Sequence, residues 1–418
     1  MTGLGSGGPK APPQRCDLVV VGAGIIGLAV AREALIREPR AGVAVLESEP
    51  AIALHQSSHN SGVIHAGIYY QPGSLKARLC VEGAAALYRL CAELGVPADP
   101  IGKLIVATAA AELPRLSLLH ERALANGVHV ARLDAAELRE IEPRANGLAA
   151  LHSPGTGIVD YGAVCAALAA DVQQRGGSVI TGCEVLSVIN SPGGARVVHA
   201  RGSTECGGAI VCGGLQSDRL AEASGASAEP RIIPFRGAYF TLQRPELVNG
   251  LIYPVPDPKL PFLGVHLTRR IGGDVVVGPT SLPAAARSGL RVDRKDLLAT
   301  LSWPGSYRMA WRWRRHASRE LLWALSRRAY AHQASRLING LTAADLEPSF
   351  SGIRAQALAR DGTLLDDFAF SGADRIVQLR NAPSPAATAS LAIAAYCCDR
   401  LGPIIVAEPP GAQRRSLH

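Results

Sequence analysis

Residues 16–47, CDLVVVGAGIIGLAVAREALIREPRAGVAVLE, decide the fold. The Val-rich run at 17–21 has the continuous apolar character of a strand buried on both faces. Gly22, Gly24 and Gly27 follow in the G-x-G-x-x-G spacing, and an apolar helical pattern runs over 26–36. Each glycine has its own mechanical role. Gly22 permits the tight turn, Gly24 lets a pyrophosphate approach the backbone, and Gly27 lets helix and strand pack closely. Ile25 stands in the first turn, whose unpaired N–H groups and positive dipole end suit phosphate. A second strand is expected at 43–46, and Glu47 at its end falls where a ribose hydroxyl needs an acceptor. A lone glycine fingerprint is weak; strand, helix, second strand and acid in that order make dinucleotide binding the leading reading.

A chain of 418 residues has room for two interleaved domains, and 48% hydrophobic with 19% charged residues describes a globular core. No apolar run approaches the ~18 residues of a spanning helix. Residues 1–15, rich in Gly and Pro, read as a floppy leader and not a secretory signal. The nine cysteines are scattered without a C-x-x-C pair, which argues for reduced thiols in a cytoplasmic setting, with no metal site and no disulfide framework. The net charge of +8 fits nucleic acid, an anionic membrane surface or an acidic substrate, and where the charge sits decides among them.

After Glu47 comes a loop dense in Ser, His, Asn and Gly, which should lie along the cofactor at the carboxyl ends of the strands. Ser57, Ser58, His59 and Asn60 are candidates to bond phosphate or ring heteroatoms, and His65 is a candidate functional histidine. A helix is expected at 75–94, strand or loop at 96–108, and a helix at 112–126. Asp134 and Glu137 form a capping-box start for another, in what reads as an inserted helical excursion. The α/β rhythm returns with a helix from Asp160 to about 174 and a strand at 178–181. Residues 209–221 then repeat strand, paired glycines and helix, placing Gly213 beside a nucleotide. Residues 232–280 alternate in short Pro- and Gly-broken runs, the pattern of an antiparallel sheet, along which Arg236, Tyr239, Tyr253, His266 and Arg269 recur. Segment 306–336 is helical, strongly basic and holds three of the four tryptophans. It suits either an interfacial membrane contact or a solvated helix packed on its own domain. A strand at 376–379 and the stretch NAPSPAATAS lead to a last helix from 391, whose start suits negative charge on a reduced flavin.

The fold class expected is α/β. A Rossmann-like FAD-binding domain (16–95, 150–225 and 350–402) is interleaved with an α+β substrate domain (96–149 and 226–349) on a mostly antiparallel sheet, and 403–418 form a tail. The blocks VVVGAGIIGLAVA, SSHNSGVIHAGIYYQPGSLKARLC, PFRGAYF, LIYPVPDPKLPFLGVHLTRR, VVVGPT, GIRAQALARDGTLLDDF and NAPSPAATASLAI together resemble the L-2-hydroxyglutarate dehydrogenase/oxidase family. That family lies within the FAD-dependent D-amino-acid-oxidase-like superfamily. The resemblance runs from Cys16 to about Leu401 and is least typical between Pro283 and Asp345.

The resemblance implies bound FAD, oxidation of a small dicarboxylate, L-2-hydroxyglutarate, to 2-oxoglutarate, and electrons passed to a quinone or other acceptor. It matches Gly22, Gly24, Gly27 and Glu47 to the nucleotide fingerprint, Ser58, His59 and Gly67 to the flavin-side loop, and Asn381, Pro383 and Ser384 to the C-terminal flavin block. Arg354 falls where an arginine clamps the substrate carboxylate, with Tyr253 beside it. A neutral histidine suits the base that takes the hydroxyl proton, with His65 first and His266 second. The second carboxylate needs another cation, for which Arg236, Lys76 or Arg269 are candidates. Alternatives within the fold are another 2-hydroxy acid, glycerol 3-phosphate or an amino acid. From other classes come a flavin-dependent tRNA-modifying protein and a non-catalytic sensor. No RNA-binding motif accompanies the basic segment, so no nucleic-acid partner is expected. The expected location is cytoplasmic, with a candidate peripheral membrane contact through 306–336.

Overall fold

The computed structural model describes residues 11–257, 263–289 and 291–406. The expected leader up to residue 10, the first residue of the expected strand FLGVHLT and the tail from 407 lie outside them.

Five parallel strands form the heart of the first sheet, in spatial order Ser178–Ile180, Val43–Leu46, Arg15–Val21, Gly202–Val211 and Ile376–Asn381. The apolar run at 18–21 sits at the centre of the sheet, its side chains buried on both faces. Leu18 and Val20 face one core with the helices Ile25–Arg37, Leu75–Leu94, Tyr161–Gln174 and Ser390–Leu401, while Val19 and Val21 face the other. The second face is closed by the antiparallel strands Val185–Ser191 and Gly194–His199, which bring Val188 and Val197 onto it. Arg15 opens its central strand, and Pro13 and Gln14 just before it are bonded to the sheet. The Thr204 hydroxyl donates to Pro13 O at 2.6 Å and the Glu205 N–H to Gln14 O at 3.0 Å.

The second sheet is antiparallel except where Lys103–Ala107 runs parallel to Leu251–Pro254. Its spine is the long ladder between Arg231–Leu242 and Leu346–Leu358, with Phe235 opposite Arg354 and Arg236 opposite Ile353. Ala149–Ser153 also pairs into this sheet, against Lys103–Ala107. The expected domain edges at 150 and 350 therefore fall at or inside strands of the second sheet, since a continuous ladder holds its residues together.

The capping box at Asp134 forms as its residues dictate: Ala136 and Glu137 N–H donate to Asp134, and Asp134 N–H donates to Glu137. The basic segment is helical in three pieces, Pro304–Arg312, Arg314–Leu325 and Arg327–Ser335. Ser326 breaks the second from the third with extended backbone, and its Oγ accepts the Ala329 N–H at 3.2 Å. Tyr330 on the last piece is fully buried beside Phe240, so part of this segment serves its own core. Among the described residues no helix is long and apolar enough to cross a membrane.

Candidate active site

A cavity of about 1280 Å³ is lined by residues of both sheets, from Gly22, Gly24 and Glu47 at one end to His65, His266 and Arg354 at the other. That exceeds a single drug-sized site and suits a large cofactor with a small substrate.

The first end is a nucleotide cradle built by backbone. Gly22 has φ +97°, and a Cβ there would stand 2.6 Å from Cys212 O. A Cβ on Gly27 would stand 1.9 Å from Gly22 O, so helix and strand approach closer than any side chain permits. The helix Ile25–Arg37 has no side-chain cap at Gly24. Its Ile25 N–H donates to Ser57 Oγ at 3.0 Å, and the cavity reaches Gly24, Ile25 and Ile26. Glu47 is buried; it accepts the Ala23 N–H at 2.6 Å and the Glu49 N–H at 3.0 Å, which fixes an acceptor on the cavity wall. These groups fit the phosphates and ribose of the FAD that the sequence resemblance implies. Gly213 lines the same cavity beyond Gly202–Val211.

Farther in, the Asn381 amide donates to Leu365 O at 3.0 Å and Asp367 O at 2.8 Å, while its Oδ1 has no hydrogen-bond partner among the described residues. An acceptor so oriented and left over fits a ring N–H of a bound group. Pro383 and Ser384 line the cavity with the turn that follows, through Thr388. The last helix begins at Ser390, so the turn reaches the site and the helix start expected there stands one step behind.

The inner pocket gathers side chains from four distant segments. His65 sits just past Val63–Ile64, where its backbone N–H donates to Thr388 Oγ1 at 3.0 Å. Its ring is buried and Nδ1 has no partner among the described residues. Burial, with Lys103, His266 and Lys76 adding to it, holds this imidazole well below its ordinary pKa. His266 stacks on Tyr253 with ring centroids 4.0 Å apart. Its Nδ1 lies 2.9 Å from Gly264 O; a carbonyl only accepts, so Nδ1 carries the proton and Nε2 the lone pair. Burial pushes this imidazole down to about 3, helped by Arg354 and Lys103. Both histidines are therefore neutral near pH 7.

Arg354 lines the pocket from the long ladder, beside Tyr239, whose phenol burial raises and Arg354 lowers. Lys76 is buried and donates to the Asp366 carboxylate and carbonyl, both at 2.8 Å, with Tyr70 under its ammonium. The Tyr69 and Tyr253 hydroxyls are buried without partners among the described residues.

Four predicted residues, Arg236, Ser58, Gly67 and Arg269, lie off the cavity. Arg236 is one register step from Phe235, so strand alternation turns it to the opposite face from Arg354, where it donates to Ser351 Oγ at 3.1 Å. Ser58 is exposed and donates to Ala53 O at 2.6 Å; its neighbour Ser57 supplies the hydroxyl at the helix start. Gly67, at φ +99°, faces Val81 and serves packing. His59 does reach the cavity, though exposed. Arg269 donates to Val248 O at 3.2 Å and does not line the cavity. Sequence reasoning did not single out Tyr69, Tyr70 or Lys103. The signal for Lys103 was a cation heading the wholly apolar strand LIVA.

The family described as FAD dependent oxidoreductase matches residues 17–400 of the chain. A mitochondrial L-2-hydroxyglutarate dehydrogenase of Nematostella vectensis is 45% identical, over 93% of this chain and 91% of its own. An L-2-hydroxyglutarate dehydrogenase of Escherichia coli (strain K12) is 41% identical, over 96% of each. Among solved structures, the L-alpha-glycerophosphate oxidase of Mycoplasma pneumoniae with FAD bound superposes with a TM-score of 0.76 at 24% identity, covering 95% of this chain and 97% of that one. At that identity the likeness is one of fold.

Proposed function

The chain belongs to the FAD dependent oxidoreductase family, and on that premise we propose that it oxidises L-2-hydroxyglutarate to 2-oxoglutarate. The observation that carries this reading is the continuity of the nucleotide cradle with a buried pocket that joins two neutral histidines to Arg354 and Lys76. The curated relatives named L-2-hydroxyglutarate dehydrogenase support the substrate.

When bound, FAD supplies the two-electron acceptor for the hydride leaving C2. The protein's part is to bind, orient and deprotonate. Arg354 offers a planar fork of donors to the carboxylate beside the reacting carbon. The Lys76 side of the pocket attracts the other carboxylate. His266 is the base with a defined tautomer, its Nε2 lone pair kept available by the Nδ1–H bond to Gly264 O. His65 is the alternative base. The Tyr69 and Tyr253 hydroxyls are donors for the substrate's oxygens. Burial keeps bulk water from these groups and strengthens each electrostatic contact.

Electrons then pass to a quinone or another acceptor. A peripheral membrane contact is supported by the exposed apolar side chains of the basic helices. Trp311 is 71% and Leu325 78% exposed, and Arg308, Arg312, Arg314, Arg315 and Arg319 surround them in sequence, a combination suited to an anionic lipid surface.

The test is anaerobic mixing of the purified yellow protein with L-2-hydroxyglutarate, the D enantiomer and L-malate, watching the flavin band. Fast bleaching by the L acid alone is the expected result. Bleaching by a different acid moves the substrate, and no bleaching by any of them removes the proposal.

A further inference from the structure

Lys103 is 1% exposed, and among the described residues no carboxylate pairs with it. Its ammonium lies over the Tyr69 ring at 4.7 Å and the Tyr253 ring at 5.0 Å. The opposite relation continues the stack: Tyr253 lies against His266 with centroids 4.0 Å apart. Lys103 does not itself line the cavity. A buried cation is thus held behind the wall that carries the candidate base.

We propose that Lys103, from behind the wall formed by Tyr69 and Tyr253, supplies the balancing positive charge when an anionic substrate fills the pocket. The inference rests on the dicarboxylate reading of the site.

The groups facing Lys103 support it. His65 and His266 are both disfavoured as cations by its charge. Lys76, from the helix Leu75–Leu94, acts likewise on His65, and Arg354, from the long ladder, on His266. Cys80 is the group that favours the charged lysine, yet burial pushes this thiol up to about 12, leaving it neutral near pH 7. On the neighbouring strand, Ser153 pairs with Lys103 and His152 with Leu104; burial keeps His152 low as well. Burial pushes the Lys103 ammonium down to about 7, so the free enzyme holds it half protonated near neutrality. An anion in the pocket favours the charged form, and the lysine then draws a proton from solvent.

The experiment uses the FAD-loaded full chain with Lys103→Met and Lys103→Arg. Methionine keeps the length without the charge, and removing a buried charge is tolerable for folding; arginine keeps the charge and never titrates. Glutarate, a dicarboxylate lacking the reacting hydroxyl, is titrated calorimetrically at pH 8 in two buffers of different ionisation enthalpy. Wild type is expected to take up close to one proton per glutarate, and both variants almost none. Wild-type proton uptake in K103M would overturn the assignment. Glutarate bound by wild type without proton uptake overturns the role of Lys103 alone. Failure of L-2-hydroxyglutarate to bleach the flavin removes the underlying substrate reading.

Discussion

Gly24→Ala isolates the cofactor cradle from the stability of the fold. Gly24 has φ −76° and ψ 177°, an extended conformation that alanine adopts without strain. The new Cβ would stand 3.1 Å from the Ser57 hydroxyl, an atom at the end of a short rotatable side chain, so folding should lose about 1 kcal/mol or less. The methyl would, however, occupy the cavity wall where backbone must meet pyrophosphate. Holding phosphate off by about a methyl radius breaks one or two charge-assisted hydrogen bonds of about 1.5–3 kcal/mol each. The expected loss is about 1.5–6 kcal/mol, roughly 10- to 20,000-fold in the FAD dissociation constant. Gly27→Ala is the contrast: its Cβ would stand 1.9 Å from the Gly22 carbonyl oxygen, which is backbone and cannot rotate away. The helix must withdraw, so this variant should lose thermal stability together with FAD. The assay is fluorescence titration of apo-protein with FAD beside thermal melts of the same samples. A G24A protein that retains wild-type FAD affinity, or a G27A protein that melts with wild type, refutes the reasoning.

His266→Gln and His65→Gln should keep FAD bound, and the variant that removes the base should slow anaerobic flavin reduction about 10²–10⁴-fold; normal rates in both would exclude a histidine base. Because His266 stays neutral in the fold down to about 3 and protonates near 6.5 when unfolded, stability should fall as pH drops from 6.5 toward 3. The Tm of H266Q should then change less than that of wild type between pH 6.5 and 4, and parallel curves would contradict the buried neutral ring. Arg354→Lys should lower kcat/KM about 30- to 1,000-fold, since an ammonium cannot reproduce the two-pronged grip on a carboxylate; full activity would free Arg354 from that role. Trp311→Ser combined with Leu325→Ser should weaken sedimentation with phosphatidylglycerol vesicles while leaving activity with a soluble acceptor dye unchanged, and undiminished sedimentation would point away from these helices.

The sequence by itself determined the nucleotide half of the molecule, because its constraints are local. Within 16–47, the close approach of Gly27 to Gly22 is made five residues apart, and the alternation of Leu18 and Val20 against Val19 and Val21 sets which core each faces. The acceptor at Glu47 and the buried strand follow from the same short range. Only the tertiary structure decided the reacting half. Arg236 and Arg354 read alike as basic residues on strands, yet the ladder register sends them to opposite faces. Ser57 and Ser58 are adjacent and chemically equivalent, and the path of the loop chose Ser57 for the helix start. Lys103 is an ordinary surface residue type until strands at 149–153 and 251–254 close on either side of it. Burial, and with it the neutrality of both histidines and the lowered proton affinity of Lys103, depends on segments far apart in the chain coming together, and no local pattern encodes that meeting.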